Sequence, residues 1–66
     1  MRKELKEARE SLGLTQAALA DKIGMTPNGY RLIESGKKDG SVKAWRRIAS
    51  ELKLSDARAW RCLSEK

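Results

Sequence analysis

Residues 15–36, TQAALADKIGMTPNGYRLIESG, decide how the rest of this chain is read. They describe two short helices that meet at Gly24. Thr15 can cap the first, because its hydroxyl can accept from an amide that the opening turn of a helix leaves without a partner. Leu19, Ala20 and Ile23 then share one face by their three- and four-residue spacing. Gly24 ends that helix in the left-handed conformation, which glycine enters without steric cost. Thr26-Pro27 opens the second helix, with Thr as cap and Pro at the first position, where its missing N–H is no loss. On this second helix, about 26–34, Tyr30 and Ile33 face inward while Asn28, Arg31, Leu32 and Ser35 face away. The small side chain of Ala20 lets the two helices cross closely.

Pro27-Asn28-Gly29 also fits a turn, and glycine inside a helix costs about 0.8–1 kcal/mol relative to alanine. The turn reading would start regular helix only at Tyr30. The period kept by Tyr30 and Ile33 favours the helix, with Gly29 in its first turn, where propensity matters least. Gly29 would there permit close approach to a neighbouring backbone. Residues 15–34 then have the build of a helix-turn-helix, whose second helix is presented to a DNA major groove.

The flanking sequence supplies a scaffold for that pair. Residues 2–12 read as a first helix with Leu5, Ala8 and Leu12 on its inward face, Gly13 as its stop and Leu14 packed beside Leu12. Residues 36–41, Gly-Lys-Lys-Asp-Gly-Ser, form a loop without apolar side chains. Ser41 can cap a fourth helix running to about Leu52, whose inward face is Val42, Trp45, Ile48 with Ala49, and Leu52. Trp45 reads as a core residue. Ser55-Asp56 starts a fifth helix with Asp56 near the positive end of its dipole, and Trp60 and Leu63 form its apolar stripe.

Length and composition set bounds on function. Sixty-six residues make one domain, 1–66, close to the lower limit for a self-sufficient core. The apolar share is 39% and the charged share 36%, a balance that suits a small all-α module. No apolar run approaches the ~20 residues of a membrane span, and the first residues lack the apolar region of a signal peptide; a soluble, cytoplasmic protein is expected. The lone Cys62 cannot form an internal disulfide, and it reads as a small, half-buried residue. Without histidine a zinc site is not expected; no other metal and no cofactor is expected.

The formal charge of +6 is unevenly placed. Residues 15–35 are neutral, whereas residues 36–54 set Lys37, Lys38, Lys43, Arg46, Arg47 and Lys53 against Asp39 and Glu51. The excess lies just after the second helix of the motif, where a phosphate backbone would run if that helix entered a groove.

These residues also carry a family pattern. LGLTQAALADKIGMT, then RLIESGKK, then IASELKLS resemble the Cro and lambda-repressor-like (XRE) helix-turn-helix family over roughly residues 5–55. Gln16, Leu19, Ala20, Ile23, Gly24, Tyr30, Ile33, Glu34 and Gly36 stand at patterned positions. The resemblance implies a compact five-helix fold whose third helix, about 26–34, reads bases. It implies that Gln16 binds a phosphate, and that the loop and the start of the fourth helix grip the backbone. It also implies an internal ion pair between Arg9 and Glu34, which makes Glu34 a poor general acid. There are departures from the pattern. Pro27 and Leu32 stand where relatives often carry polar residues, Gly29 replaces a small non-glycine residue, Gly40 stands where proline often precedes the fourth helix, and Lys53 where glycine often ends it. The DNA sequence read by this protein therefore cannot be copied from a relative.

The expected function is sequence-specific binding of double-stranded DNA by a transcriptional regulator, a repressor of phage or mobile-element type. Asn28 has the donor–acceptor fork for adenine, Arg31 can fork onto guanine or take a phosphate, and Leu32 can touch a thymine methyl. Gln16, Lys37, Lys38, Ser41 and Lys43 would position the duplex without reading it. Each has a plainer alternative, a turn residue for Asn28 and solvated surface for the rest. One copy offers few base readers, so a weak homodimer on a near-palindromic operator is expected, with Trp60 as its anchor or, equally, as a core residue. A second reading makes the fold a protein-binding module, an antitoxin or adaptor. An enzyme is not expected, since the chain has neither histidine nor a Gly-rich phosphate loop.

Overall fold

Hydroxyl side chains begin four helices of this protein. Thr15, Thr26, Ser41 and Ser55 each accept a hydrogen bond from the backbone N–H three residues on, at 3.0–3.2 Å. The computed structural model describes residues 1–65, and these hold α1 (Lys3–Ser11), α2 (Gln16–Lys22), α3 (Pro27–Ser35), α4 (Val42–Leu52) and α5 (Asp56–Ser64). The helix at Pro27-Asn28-Gly29 prevails over the turn. Thr26 caps it through Gly29 N–H, and what comes close to Gly29 is that cap oxygen and the Met25 side chain rather than another backbone.

The α2–α3 turn follows from Gly24, at φ +72°. Its N–H donates to Asp21 O (3.2 Å) and Met25 N–H donates to Ala20 O (2.8 Å), so the last carbonyls of α2 are satisfied before the chain reverses. Arg47 of α4 reaches the same turn and donates to Ile23 O at 3.1 Å. A Cβ on Gly24 would stand 2.9 Å from the Arg47 guanidinium, the end of a long side chain that can shift, so it is the backbone angle that favours glycine here.

Leu5 and Ala8 from α1, Leu19 and Ala20 from α2, Ile23 from the turn after α2, Tyr30 and Ile33 from α3, Trp45, Ile48 and Leu52 from α4, Leu54 from the connection after α4 and Cys62 from α5 make the buried cluster. α3 packs most extensively on α2; α1 and α4 brace that pair, and α5 closes against α1 and α4. No described helix is long and apolar enough to cross a membrane.

Five expectations about packing are corrected. Leu12 is 47% exposed, because α1 stops at Ser11 and the chain turns away at Gly13, leaving Leu14 to pack on the core. Val42 is 72% exposed; at 100° per residue it stands roughly 85° from the centre of the face formed by Trp45, Ile48 and Leu52. Trp60 is 67% exposed, since Ala59, Cys62 and Leu63 take the inward side of α5. Cys62 is fully buried rather than half-buried, and burial, with the Glu4 charge adding, pushes its thiol pKa up. Finally, α1 begins at Lys3, and Arg2, read as its first helical residue, is fully buried ahead of it.

Candidate nucleic-acid interface

The inner side of α3 ends in a buried carboxylate that gathers donors from three helices. Glu34 accepts from Arg9 Nε–H at 2.8 Å and Nη2–H at 3.4 Å, from the Tyr30 hydroxyl at 3.2 Å and from the Gln16 side-chain amide. Arg9 also donates to Leu14 O at 2.6 Å, tying α1 to the loop before α2. The ion pair between Arg9 and Glu34 is thus present and buried. Burial by itself lowers the Arg9 pKa, but the Glu34 charge and hydrogen bond outweigh it and hold it above its usual value. Burial and, next, the Glu34 carboxylate raise the Tyr30 hydroxyl well above its ordinary 10.0. This network fixes the angle of α3 against α1 and α2, and with it the direction of the outer side.

That outer side carries the expected base readers. Asn28 and Arg31 are exposed and Leu32 is half-buried. Arg31 Nη2–H donates to Asn28 Oδ1 at 2.7 Å, one turn apart. Asn28 Oδ1 keeps a second lone pair and its amide keeps both donors, so the pairing orients the fork without consuming it.

Loop 36–41 carries Lys37 and Lys38, both exposed, and folds back on the end of α3, where both amides donate to Leu32 O at 3.0 and 3.2 Å. Lys43 is exposed in the first turn of α4. Ser41 uses its oxygen as an acceptor for the cap, which leaves its O–H to donate. Gln16, at the start of α2, commits one amide N–H to Glu34 and retains a second. The structure therefore places Lys37, Lys38, Ser41 and Lys43 in the loop and helix start that follow α3, while Gln16 is held from inside by the end of α3.

Three residues escape a reading of the sequence in isolation. Arg2 and Arg47 count as surface charge but are spent on backbone carbonyls. Tyr30 reads as apolar core, although its hydroxyl belongs to the Glu34 network. For Arg2 a signal exists: it shares a helical face with Leu5 and Arg9 by i+3 and i+7 spacing.

Val42, Trp45, Ala49, Ala59, Trp60 and Leu63 line an open apolar groove of about 320 Å³ between α4 and α5, which Gly40 of loop 36–41 borders. Among the described residues no group of histidine, cysteine, aspartate and glutamate side chains is arranged to hold a metal ion.

Comparison with known protein families matches residues 5–57 to a model described as helix-turn-helix. Comparison with curated proteins and with solved structures gives no match. The matched segment runs from the first turn of α1 into α5 and includes the α2–α3 unit, the Arg9–Glu34 pair and loop 36–41. The chain belongs to the Cro and lambda-repressor-like (XRE) helix-turn-helix family, a family of DNA-binding regulators.

Proposed function

We propose that this chain represses transcription by occupying a near-palindromic operator, reading the major groove of double-stranded DNA with α3, as a regulator of phage or mobile-element type. The observation that supports it best is the division of α3 into a side locked by the Glu34 network and a side whose Asn28 and Arg31 are free to meet base edges. Asn28 and Arg31 read bases, and Leu32 meets a thymine methyl. Gln16, through its second amide proton, with Lys37, Lys38, Ser41 and Lys43, takes phosphates. A bound domain of this size represses by excluding other proteins from the operator.

Specificity is completed by a weak homodimer. Trp60 is the anchor, since it is exposed at the edge of the α4–α5 groove. Arg46 on α4 and Asp56 on α5 both line the groove, so it carries a charge of each sign, which a second copy related by a two-fold axis can satisfy reciprocally.

The test is a binding selection on random duplex DNA followed by a salt titration. Enrichment of a two-fold symmetric site, with affinity falling steeply as salt rises, is the expected result. Trp60→Ala should keep binding to an isolated half-site and lose the cooperative gain on the full site. No enriched sequence, with affinity insensitive to salt, would sink the DNA reading and leave the protein-binding alternative, an antitoxin or adaptor.

A further inference from the structure

We infer that Arg2 is a positioning residue for the interface: it fixes loop 36–41 from beneath, so that the grip of Lys37 and Lys38 on phosphates depends on a side chain that never touches DNA. The inference rests on the DNA-binding reading above. The guanidinium has five N–H donors, and five acceptors surround it. Nε–H donates to Cys62 O at 3.1 Å, Nη1 to Ile33 O and to Lys38 O (2.8 Å), and Nη2 to Leu63 O (3.3 Å) and Asp39 Oδ1 (3.4 Å). The group is fully buried, with its carbon 5.5 Å from the centroid of the Trp45 ring. Its acceptors come from the C-terminal halves of α3 and α5, whose carbonyls carry the negative end of the helix dipole, and from the loop itself.

The loop needs such a support. Residues 36–41 bring no apolar side chain to the core, and Gly36 and Gly40 both sit at positive φ. Beyond the amides that bond Leu32 O, Arg2 holds Lys38 O and Asp39 Oδ1, and Trp45 Nε1–H holds Asp39 O at 2.6 Å. Arg2 and Trp45 therefore pin the backbone of the residues whose ammonium groups point to solvent. Ordering that backbone in the free protein removes an entropy cost that phosphate binding would otherwise carry.

The experiment compares wild type with Arg2→Met, alone and combined with Lys37→Ala/Lys38→Ala, on the selected duplex across a fourfold range of salt. Arg2→Met should weaken all DNA sequences alike and flatten the salt dependence by up to two phosphates, worth about tenfold in affinity over that range. Added to the double lysine variant it should cost nothing further, since it acts through the same two side chains. An undiminished salt slope, or losses that multiply, would overturn the inference. A purely structural Arg2 would lower stability and leave both quantities unchanged. Trp45→Phe keeps a ring beside Arg2 and removes the donor to Asp39 together with part of the indole's core volume; it should show the same pattern with a smaller loss, and it decides the matter if Arg2→Met does not fold. Amide hydrogen exchange gives a readout without DNA. The amides of Lys37–Gly40 should exchange faster in Trp45→Phe while those of α2 and α4 stay protected. Faster exchange in a protein that binds no DNA would end the DNA reading but keep the loop support. Unchanged exchange would end the inference alone.

Discussion

The two sides of α3 treat the same kind of chemistry in opposite ways. On the inner side Glu34 and Tyr30 are buried and each polar atom has a partner within the fold. On the outer side the Asn28 and Arg31 side chains stand in solvent and, among the described residues, bond to each other through a single contact. The difference teaches where stability and recognition are stored. Polar groups taken from water must be satisfied internally and then resist change, whereas polar groups left in water remain available to a partner.

That contrast is broken most directly at Glu34. Glu34→Ala leaves Arg9 buried without its counter-charge, and losing one member of a buried pair costs about 3–5 kcal/mol. A core of this size rarely supplies more than about 3–5 kcal/mol, so the variant should be largely unfolded in a urea melt. A loss below about 1 kcal/mol would mean that the inner network is as dispensable as a surface pair.

The outer side should respond in the reverse manner. Asn28→Ala and Arg31→Ala are expected to change stability by no more than about 0.5 kcal/mol. Each should cost about 1–3 kcal/mol of discrimination at one base pair of the selected site. Because Arg31 orients Asn28, the double variant should lose less than the sum of the two. Binding profiles of the four proteins against single-position operator variants measure both quantities. If Asn28→Ala left the whole profile intact, the outer side would not be the reading surface.

A smaller, pH-dependent effect belongs to Tyr30. Its folded pKa lies above 10.0, so above about pH 10 the unfolded chain loses this proton while the folded chain keeps it. Stability on this account is full below pH 10 and declines as the pH rises further. Tyr30→Phe should cost about 0.5–1.5 kcal/mol at neutral pH through the lost bond to Glu34, and should reduce the alkaline decline relative to wild type. Paired urea melts at neutral and alkaline pH isolate the difference, since the lysines titrate in both proteins. An equal alkaline decline in the two would detach Tyr30 from the network.

The division also explains what could be read from the chain beforehand. Caps at Thr15, Thr26, Ser41 and Ser55 and the inward positions Leu19, Ile23, Tyr30 and Ile33 depend on neighbours within one turn, and a linear sequence displays those. The outer side of α3 was legible for the same reason. For Arg2 the chain displays the inward face it shares with Leu5 and Arg9 but not its partners, because its acceptors lie 31 to 61 residues away. Val42 and Trp60 belong to plausible helical stripes, but exposure depends on which edge a neighbouring helix covers, and periodicity holds no record of that edge. Lys37 and Lys38 read correctly as exposed cations, whereas Arg47, equally basic, proved to be the brace of the Gly24 turn.

Lys53 offers the mildest and cleanest separation of the two properties. It ends α4 at φ 54°, the left-handed conformation in which a Cβ crowds the following carbonyl. The geometry there is otherwise that of a glycine stop: Lys53 N–H donates to Ser50 O and Leu54 N–H to Ala49 O, and Leu54 packs into the core just beyond. Lys53→Gly relieves the crowding and frees more backbone in the unfolded chain, so the net gain should be about 0.5–1 kcal/mol. Its side chain is exposed and takes no part in the Glu34 network or in the outer side of α3. The variant should therefore melt later while its operator preference and salt slope stay as they were. A gain in stability that also shifted base preference would mean that the two sides of α3 are coupled through α4, and that the separation drawn from their burial is incomplete.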